Sequence, residues 1–101
     1  MLSEETKRVM SDILKYKGKR FEVLFAIEEM SELIKELIKD INRDKDNRES
    51  IFEEIADVTV QLEYLKRIYD FSDEEIYEYI NKRIPGKWGP QIEKWKVEEN
   101  K

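Results

Sequence analysis

Hydrophobic residues recur every three or four positions along most of this chain, which is the spacing of α-helices with one apolar face. The first helix is predicted to begin at Ser3, a residue type that favours helix N-termini, and to stop around Gly18. The second helix is predicted over residues 20–41. Its apolar residues form one stripe, which we expect to be buried: Val23, Ile27, Met30, Ile34, Leu37, Ile38 and Ile41.

A second long helix of the same kind follows a polar segment. Residues 42–48 are too polar to pack and predict a turn. The third helix is predicted from about Glu49, and its apolar residues again form a narrow stripe, made of Ile51, Ile55, Val58, Leu62, Leu65 and Tyr69. Two long helices joined by a short turn predict a helical hairpin.

A fourth helix is predicted to open with a capping box, in which Ser72 and Glu75 satisfy each other's backbone donors. It is predicted to end at Pro85-Gly86, because proline removes a backbone hydrogen bond from a helix interior. A short further helix can begin at Pro90. The pattern therefore predicts an all-α fold with a four-helix core, in a single domain over residues 1–101.

Composition and charge narrow the class of protein. Hydrophobic residues make up 40% and charged residues 43% of the 101 positions, so one copy has little material for a core, and an oligomer is expected. The net charge of −5, without a long basic run, argues against nucleic-acid binding. No apolar run reaches membrane-spanning length, and the first residues lack the apolar core of a signal peptide. We expect a cytoplasmic protein without a membrane partner.

Two acidic motifs carry the candidate chemistry: Glu28-Glu29-Met30-Ser31-Glu32 on the second helix and Glu53-Glu54-Ile55-Ala56-Asp57 on the third. In each motif two carboxylates lie three residues apart and share a helix face. If the helices pack side by side, four carboxylates converge into a site for a hard cation, Mg²⁺ or alternatively Mn²⁺. These are Glu29, Glu32, Glu54 and Asp57. A solvated helix face is the competing interpretation, because the chain has 24 acidic residues.

The stretch 28–33 followed by 52–58 resembles the paired EExxE and ExxD motifs of the MazG-type, all-α nucleoside triphosphate pyrophosphohydrolases. The resemblance covers roughly residues 21–83 and implies assembly as a homodimer or homotetramer. It implies Mg²⁺-dependent cleavage of a nucleoside triphosphate between the α and β phosphates, with the four carboxylates as metal ligands. Because the chain has no histidine, hydrolysis has to use carboxylates, lysine, tyrosine or metal-activated water. Glu28 or Glu53 is the candidate catalytic residue that orients the attacking water.

Contacts to the rest of the substrate are expected outside the acidic motifs. The segment Asn81-Lys82-Arg83 resembles a basic segment of the same family, so Lys82 and Arg83, with Lys87 behind them, are candidate phosphate contacts. The alternative is that these cations stabilise a helix C-terminus. Four aromatic residues can stack on the base, or belong instead to a core or interface: Phe21, Phe25, Tyr64 and Trp88.

Two other functions stay open at this point. A non-enzymatic helical oligomerisation or regulatory module explains the composition equally well, but it does not explain why the acidic motif recurs on consecutive helices. A dUTPase-like enzyme of the related all-α type would use the same residues. Metal binding distinguishes the module from the enzymes, and a panel of substrates distinguishes the two enzymes.

Overall fold

The structure is a computed structural model that describes residues 1–43 and 46–100. It contains four helices, α1 (Glu4–Lys17), α2 (Lys19–Arg43), α3 (Arg48–Tyr69) and α4 (Asp73–Glu99), and no strand among the described residues. The predicted all-α, four-helix fold is confirmed. The chain forms two compact units, Met1–Tyr69 with α1 to α3 and Asp70–Lys101 with α4.

The boundaries of α1 follow from its end residues. The Ser3 side chain accepts a hydrogen bond from the Thr6 backbone N–H over 3.1 Å, which satisfies one of the free donors of the first turn. At the other end Gly18 has φ +87°, a backbone conformation that favours glycine, and its N–H donates to the Leu14 carbonyl over 2.9 Å. Helix α1 therefore ends at Gly18, as predicted.

Asn47 connects α2 and α3 by hydrogen bonds near the turn of the hairpin. This residue is buried, and its side-chain Nδ2 donates to both the backbone carbonyl and the carboxylate Oε2 of Glu36, each over 2.8 Å. Its own backbone carbonyl accepts from the Ile51 N–H over 3.0 Å, so Asn47 also starts α3. Residues 44 and 45 of the predicted turn lie outside the described residues.

The side of α2 that packs within the chain is not its apolar stripe, and the apolar stripe of α3 is only partly covered. Most of the α2 stripe is exposed, with Ile27 at 55% and Ile34 at 58% exposure, and Ile55 and Leu62 of α3 are also exposed. We call these exposed apolar positions the outer residues of the hairpin. The inner residues, which are buried or half-buried, are Glu22, Ala26, Glu29, Glu54, Gln61 and Tyr64.

The predicted burial of the α2 stripe is therefore wrong for the single chain. The reason is that the opposite side of α2 packs against the neighbouring helices, where Ala26 offers a small side chain and Glu22 is almost fully buried. In the part of the chain that the structure describes, the only buried apolar side chains are Met10, Ala26 and Tyr64. One copy thus leaves many of its large hydrophobic side chains in contact with water.

Helix α4 begins as predicted and ends later than predicted. Ser72 Oγ accepts from the Glu75 N–H over 3.1 Å, and the Ser72 N–H donates to Glu75 Oε2 over 3.2 Å, which completes the capping box. The predicted end at Pro85-Gly86 and the separate helix after Pro90 are wrong, because α4 continues through both prolines to Glu99.

The continuation of α4 has a local cause. The φ angle of proline is itself compatible with an α-helix. Each proline therefore removes a backbone hydrogen bond and bends the helix without ending it. The rings of Trp88 and Trp95, which lie on either side of Pro90, are 6.0 Å apart, so this contact joins the turns across the proline. Beyond Pro90, Lys96 pairs with Glu93 over 3.3 Å. None of the described helices, α4 included, has the length and apolar character needed to cross a membrane.

Candidate metal centre

Three carboxylates from α2 and α3 converge in the first unit. One carboxylate oxygen each of Glu29, Glu54 and Asp57 lies within 4.8 Å of the other two. Glu54 and Asp57 are neighbours because they are three residues apart on α3, and Glu29 faces them from α2. Glu29 and Glu54 are half-buried, and Asp57 is exposed. The side of α2 opposite the apolar stripe thus lies against α3 at this point.

Two carboxyl groups of this cluster, Glu29 and Glu54, have a raised pKa. Burial raises the pKa of Glu29 most, followed by the charges of Asp57 and Glu54 and by a hydrogen bond that protonated Glu29 donates to Asp57. Burial also raises the pKa of Glu54 most, followed by the charges of Asp57, Glu32 and Glu36. The charges that shift the pKa of Glu29 and Glu54 all belong to other carboxylates, so the negative charges of the cluster repel one another.

One atom of the cluster is without a hydrogen bond. Glu54 Oε2 is buried and has no hydrogen-bond partner in the part of the chain that the structure describes. A buried carboxylate oxygen normally accepts hydrogen bonds or binds a cation, because leaving it unpaired costs the energy of removing it from water. The oxygen-only donor set suits Mg²⁺ or Mn²⁺, which prefer carboxylate ligands. These residues therefore fit a hard divalent cation.

The fourth predicted ligand, Glu32, lies beside the cluster and outside the group of three. Its charge contributes to the raised pKa of Glu54, so it is close enough to interact. Its Oε1 pairs with Lys35 Nζ over 3.2 Å. Whether Glu32 turns from Lys35 to a cation stays a prediction.

Sequence reasoning missed Glu36, one turn further along α2. Its charge also raises the pKa of Glu54, while its carboxylate accepts from Asn47 and pairs with Lys39 over 3.2 Å. The signal was available, because Glu29, Glu32 and Glu36 have the three- and four-residue spacing of one helix face. The acidic strip on α2 is thus one residue longer than the motif.

The two candidate catalytic residues, Glu28 and Glu53, are exposed. Each precedes a member of the cluster and contributes the smallest of the charge effects on it, Glu28 on Glu29 and Glu53 on Glu54. Neither belongs to the group of three carboxylates. Their role in orienting water stays a prediction.

A pocket of about 580 Å³ lies beside the cluster in the same unit, between α1, α2 and α3. It contains three of the predicted base contacts, Phe21, Phe25 and Tyr64. The rings of Phe21 and Phe25 are stacked, with centroids 6.0 Å apart and planes 12° apart, and Tyr64 is buried. Sequence reasoning missed two buried polar residues that also line it, Glu22 and Gln61.

Comparison with known proteins gives no relative. No family model, no curated protein and no solved structure matches the chain. The function has to be inferred from the chemistry of the site.

The predicted phosphate contacts belong to the second unit. Lys82 pairs with Glu78 over 3.4 Å, and Arg83 donates to the Tyr79 hydroxyl over 3.1 Å and lies over the same ring. Lys87 Nζ lies 5.4 Å from the centroid of the Trp88 ring. All of these side chains are exposed, and each already contacts a neighbour on α4. Their assignment to phosphate, and that of Trp88 to the base, stays a prediction.

Proposed function

We propose that this protein is a divalent-metal-dependent hydrolase that cleaves nucleoside triphosphates to a nucleoside monophosphate and pyrophosphate. The observation that carries the proposal is the convergence of Glu29, Glu54 and Asp57 around a buried carboxylate oxygen that lacks a partner. The resemblance of the two acidic motifs to those of the MazG-type pyrophosphohydrolases supports the same conclusion. An acidic protein without a long basic run needs a metal to hold a polyphosphate.

The chain's own residues would have the following roles. Glu29, Glu54 and Asp57, joined by Glu32, hold the cation. Mg²⁺, when bound, neutralises charge on the triphosphate and acts as a Lewis acid. Water adds to the α-phosphorus, the bond to the oxygen that bridges the α and β phosphates breaks, and pyrophosphate and one proton leave. Glu28 or Glu53, beside the cluster, orients that water.

The cations of α4 are proposed to contact the phosphates. Lys82, Arg83 and Lys87 are exposed and carry charges of the required sign. Their present contacts on α4 are weak surface interactions that a phosphate can replace. A guanidinium can contact two phosphate oxygens at once, which makes Arg83 the stronger candidate.

A second copy of the chain is proposed to cover the outer residues of the hairpin. The exposed apolar side chains recur along the whole length of α2 and α3, from Leu24 to Ile41 and from Phe52 to Tyr69. Their burial between two copies would supply the hydrophobic stabilisation that a single chain lacks. We therefore propose a homodimer or homotetramer.

The second candidate function is the non-enzymatic oligomerisation module. The exposed outer residues favour it, because they indicate association without requiring any chemistry. It leaves the cluster of carboxylates and its unpaired oxygen unexplained. The dUTPase-like alternative uses the proposed metal ligands and differs only in the choice of base and sugar.

Pyrophosphate release from a panel of ribo- and deoxyribonucleoside triphosphates, with Mg²⁺ and with Mn²⁺, tests the proposal. We expect release by the wild type and its loss in Glu54→Gln, while Glu49→Gln, an exposed residue at the start of the same helix, keeps wild-type activity. Release from dUTP alone would identify the dUTPase-like enzyme. No release from any nucleotide by the folded protein would reject the hydrolase and favour the module.

A further inference from the structure

The pocket between α1, α2 and α3 is apolar on most sides. Val9, Met10 and Ile13 line it from α1, Phe21 and Phe25 from α2, and Val60 from α3. Its volume of about 580 Å³ is within the range of small-molecule sites. Its apolar walls and the stacked rings suit a flat, aromatic ligand group, because such a group gains both burial and stacking.

Two polar side chains are buried in these apolar surroundings. Gln61 is 5% exposed, and its Oε1 atom accepts no hydrogen bond from any described residue. Glu22 is 2% exposed and lines the pocket from α2. Buried acceptors are normally paired, so an unpaired amide oxygen in the wall of a pocket indicates a ligand that brings a donor.

The pocket and the carboxylate cluster are one helical turn apart on both helices. Phe25 precedes Glu29 by four residues on α2, and Gln61 follows Asp57 by four residues on α3, a rise of about 6 Å in each case. A ligand with a flat ring at one end and phosphates at the other would therefore span the two sites along the hairpin.

We propose that this pocket binds the base of the nucleotide and selects bases that carry an exocyclic amino group. The proposal rests on the proposed function, which places the phosphates at the carboxylate cluster. An amino group brings an N–H donor to the unpaired Gln61 oxygen, and the Glu22 carboxyl group lines the same pocket as a further acceptor. An oxo group in the same place would set an oxygen against the Gln61 oxygen, so Gln61 would have to rotate its amide to pair with it. Stacking on Phe21 and Phe25 is possible for any base, so the buried acceptors carry the selectivity.

The comparison of CTP with UTP tests the selectivity, because CTP has an amino group at C4 and an acceptor nitrogen at N3 where UTP has an oxo group and an N–H. We expect kcat/KM for pyrophosphate release to favour CTP at least tenfold in the wild type. In Gln61→Met, which keeps the length of the side chain and removes the acceptor, the ratio should fall towards one through a loss with CTP. Glu63→Gln, on another face of α3, should keep the wild-type ratio.

Binding of CMP and UMP without metal, measured by calorimetry, separates failure of this inference from failure of the proposed function. If pyrophosphate is released but CTP and UTP are hydrolysed equally, or UTP is preferred, the selectivity is overturned and the hydrolase stands. If no triphosphate is cleaved, the hydrolase fails, and tighter binding of CMP than UMP that depends on Gln61 supports the pocket. Equal or absent binding of both overturns it. The wild-type ratio decides the point even if the Gln61 variant does not fold.

Discussion

In the α2–α3 hairpin the inner residues are mostly polar and the outer residues are apolar, which is the reverse of a helical domain that is stable on its own. Between the helices lie Glu22, Glu29, Glu54 and Gln61, whereas Ile27, Ile34, Ile55 and Leu62 are exposed. Burying carboxylates costs free energy, and exposing isoleucine and leucine forgoes the main gain of folding. We therefore propose that the inner residues bind a ligand and that the outer residues associate with another copy of the chain.

The largest effect is expected from removing one inner carboxylate. Glu54→Gln should lower pyrophosphate release about a hundredfold or more, because a bound metal contributes several kcal/mol to stabilisation of the transition state. Its thermal stability without metal should be at least that of the wild type, since the raised pKa of Glu54 shows that the fold disfavours the charge.

Thermal melting with and without Mg²⁺ checks this prediction. Mg²⁺ should raise the melting temperature of the wild type and leave that of Glu54→Gln unchanged. A variant that loses stability along with activity would mean that the inner carboxylate supports the fold, and the contrast between inner and outer residues would then be broken.

A charge among the outer residues should instead break the association. Ile34→Glu is expected to weaken self-association by roughly tenfold to a hundredfold, because an isoleucine gains about 1.5–3 kcal/mol on full burial. Tyr16→Glu, which changes an exposed aromatic residue of α1, is the control and should leave association unchanged. Sedimentation equilibrium measures both. A wild type that is monomeric at high concentration would contradict the proposed cover of the outer residues.

Substitution of Gly18 changes the stability of the fold without altering the inner or the outer residues of the hairpin, and so serves as a reference. Gly18→Ala should destabilise the fold by about 1–3 kcal/mol, the cost of this backbone conformation for a residue with a Cβ. No atom lies within 4 Å of the added Cβ, so no steric clash contributes. Urea unfolding gives the value. A smaller change would mean that the chain relaxes at the α1–α2 junction.

The smallest effect is expected from Glu22, whose pKa is raised by burial. A carboxyl group with a raised pKa binds more protons in the folded than in the unfolded state, so its contribution to stability falls as the pH rises through the interval between the two pKa values. Glu22→Gln should therefore increase the free energy of unfolding at neutral pH. The increase should vanish at a pH below the ordinary glutamate pKa. Urea unfolding at both pH values tests this, and equal changes would contradict it.

The sequence was sufficient for both ends of α1 and for the start of α4, because Ser3, Gly18 and Ser72 act through local backbone geometry. It was insufficient for the orientation of the hairpin, because periodicity locates an apolar face without saying whether that face packs within the chain or against another copy. The end of α4 was wrong for a related reason. The rule for proline considers one residue, whereas the contacts between Trp88 and Trp95 join several turns.

The sequence was sufficient to predict the acidic residues of the candidate site, but not the buried polar residues of the neighbouring pocket. Glu29, Glu54 and Asp57 were identified because their spacing is regular and their motif is repeated. Gln61 and Glu22 belong to no motif, and their importance comes from burial, which only packing of α1 against the hairpin decides. Polar residues on the supposedly exposed side of an amphipathic helix carry no sequence signal of being buried.

The hydrogen bonds between Asn47 and Glu36 lie equally far from the carboxylate cluster on the two helices of the hairpin. Seven residues separate Glu36 from Glu29 along α2, and seven separate Asn47 from Glu54 along α3, about 10 Å on each side. Starting from a shared fixed point, the two helices therefore bring their carboxylates level with each other. One residue inserted between Glu29 and Glu36, or between Asn47 and Glu54, would turn the carboxylate on that helix by about 100° and move it out of the cluster. The alignment of the carboxylates thus depends on the number of residues between each of them and the contact of Asn47 with Glu36.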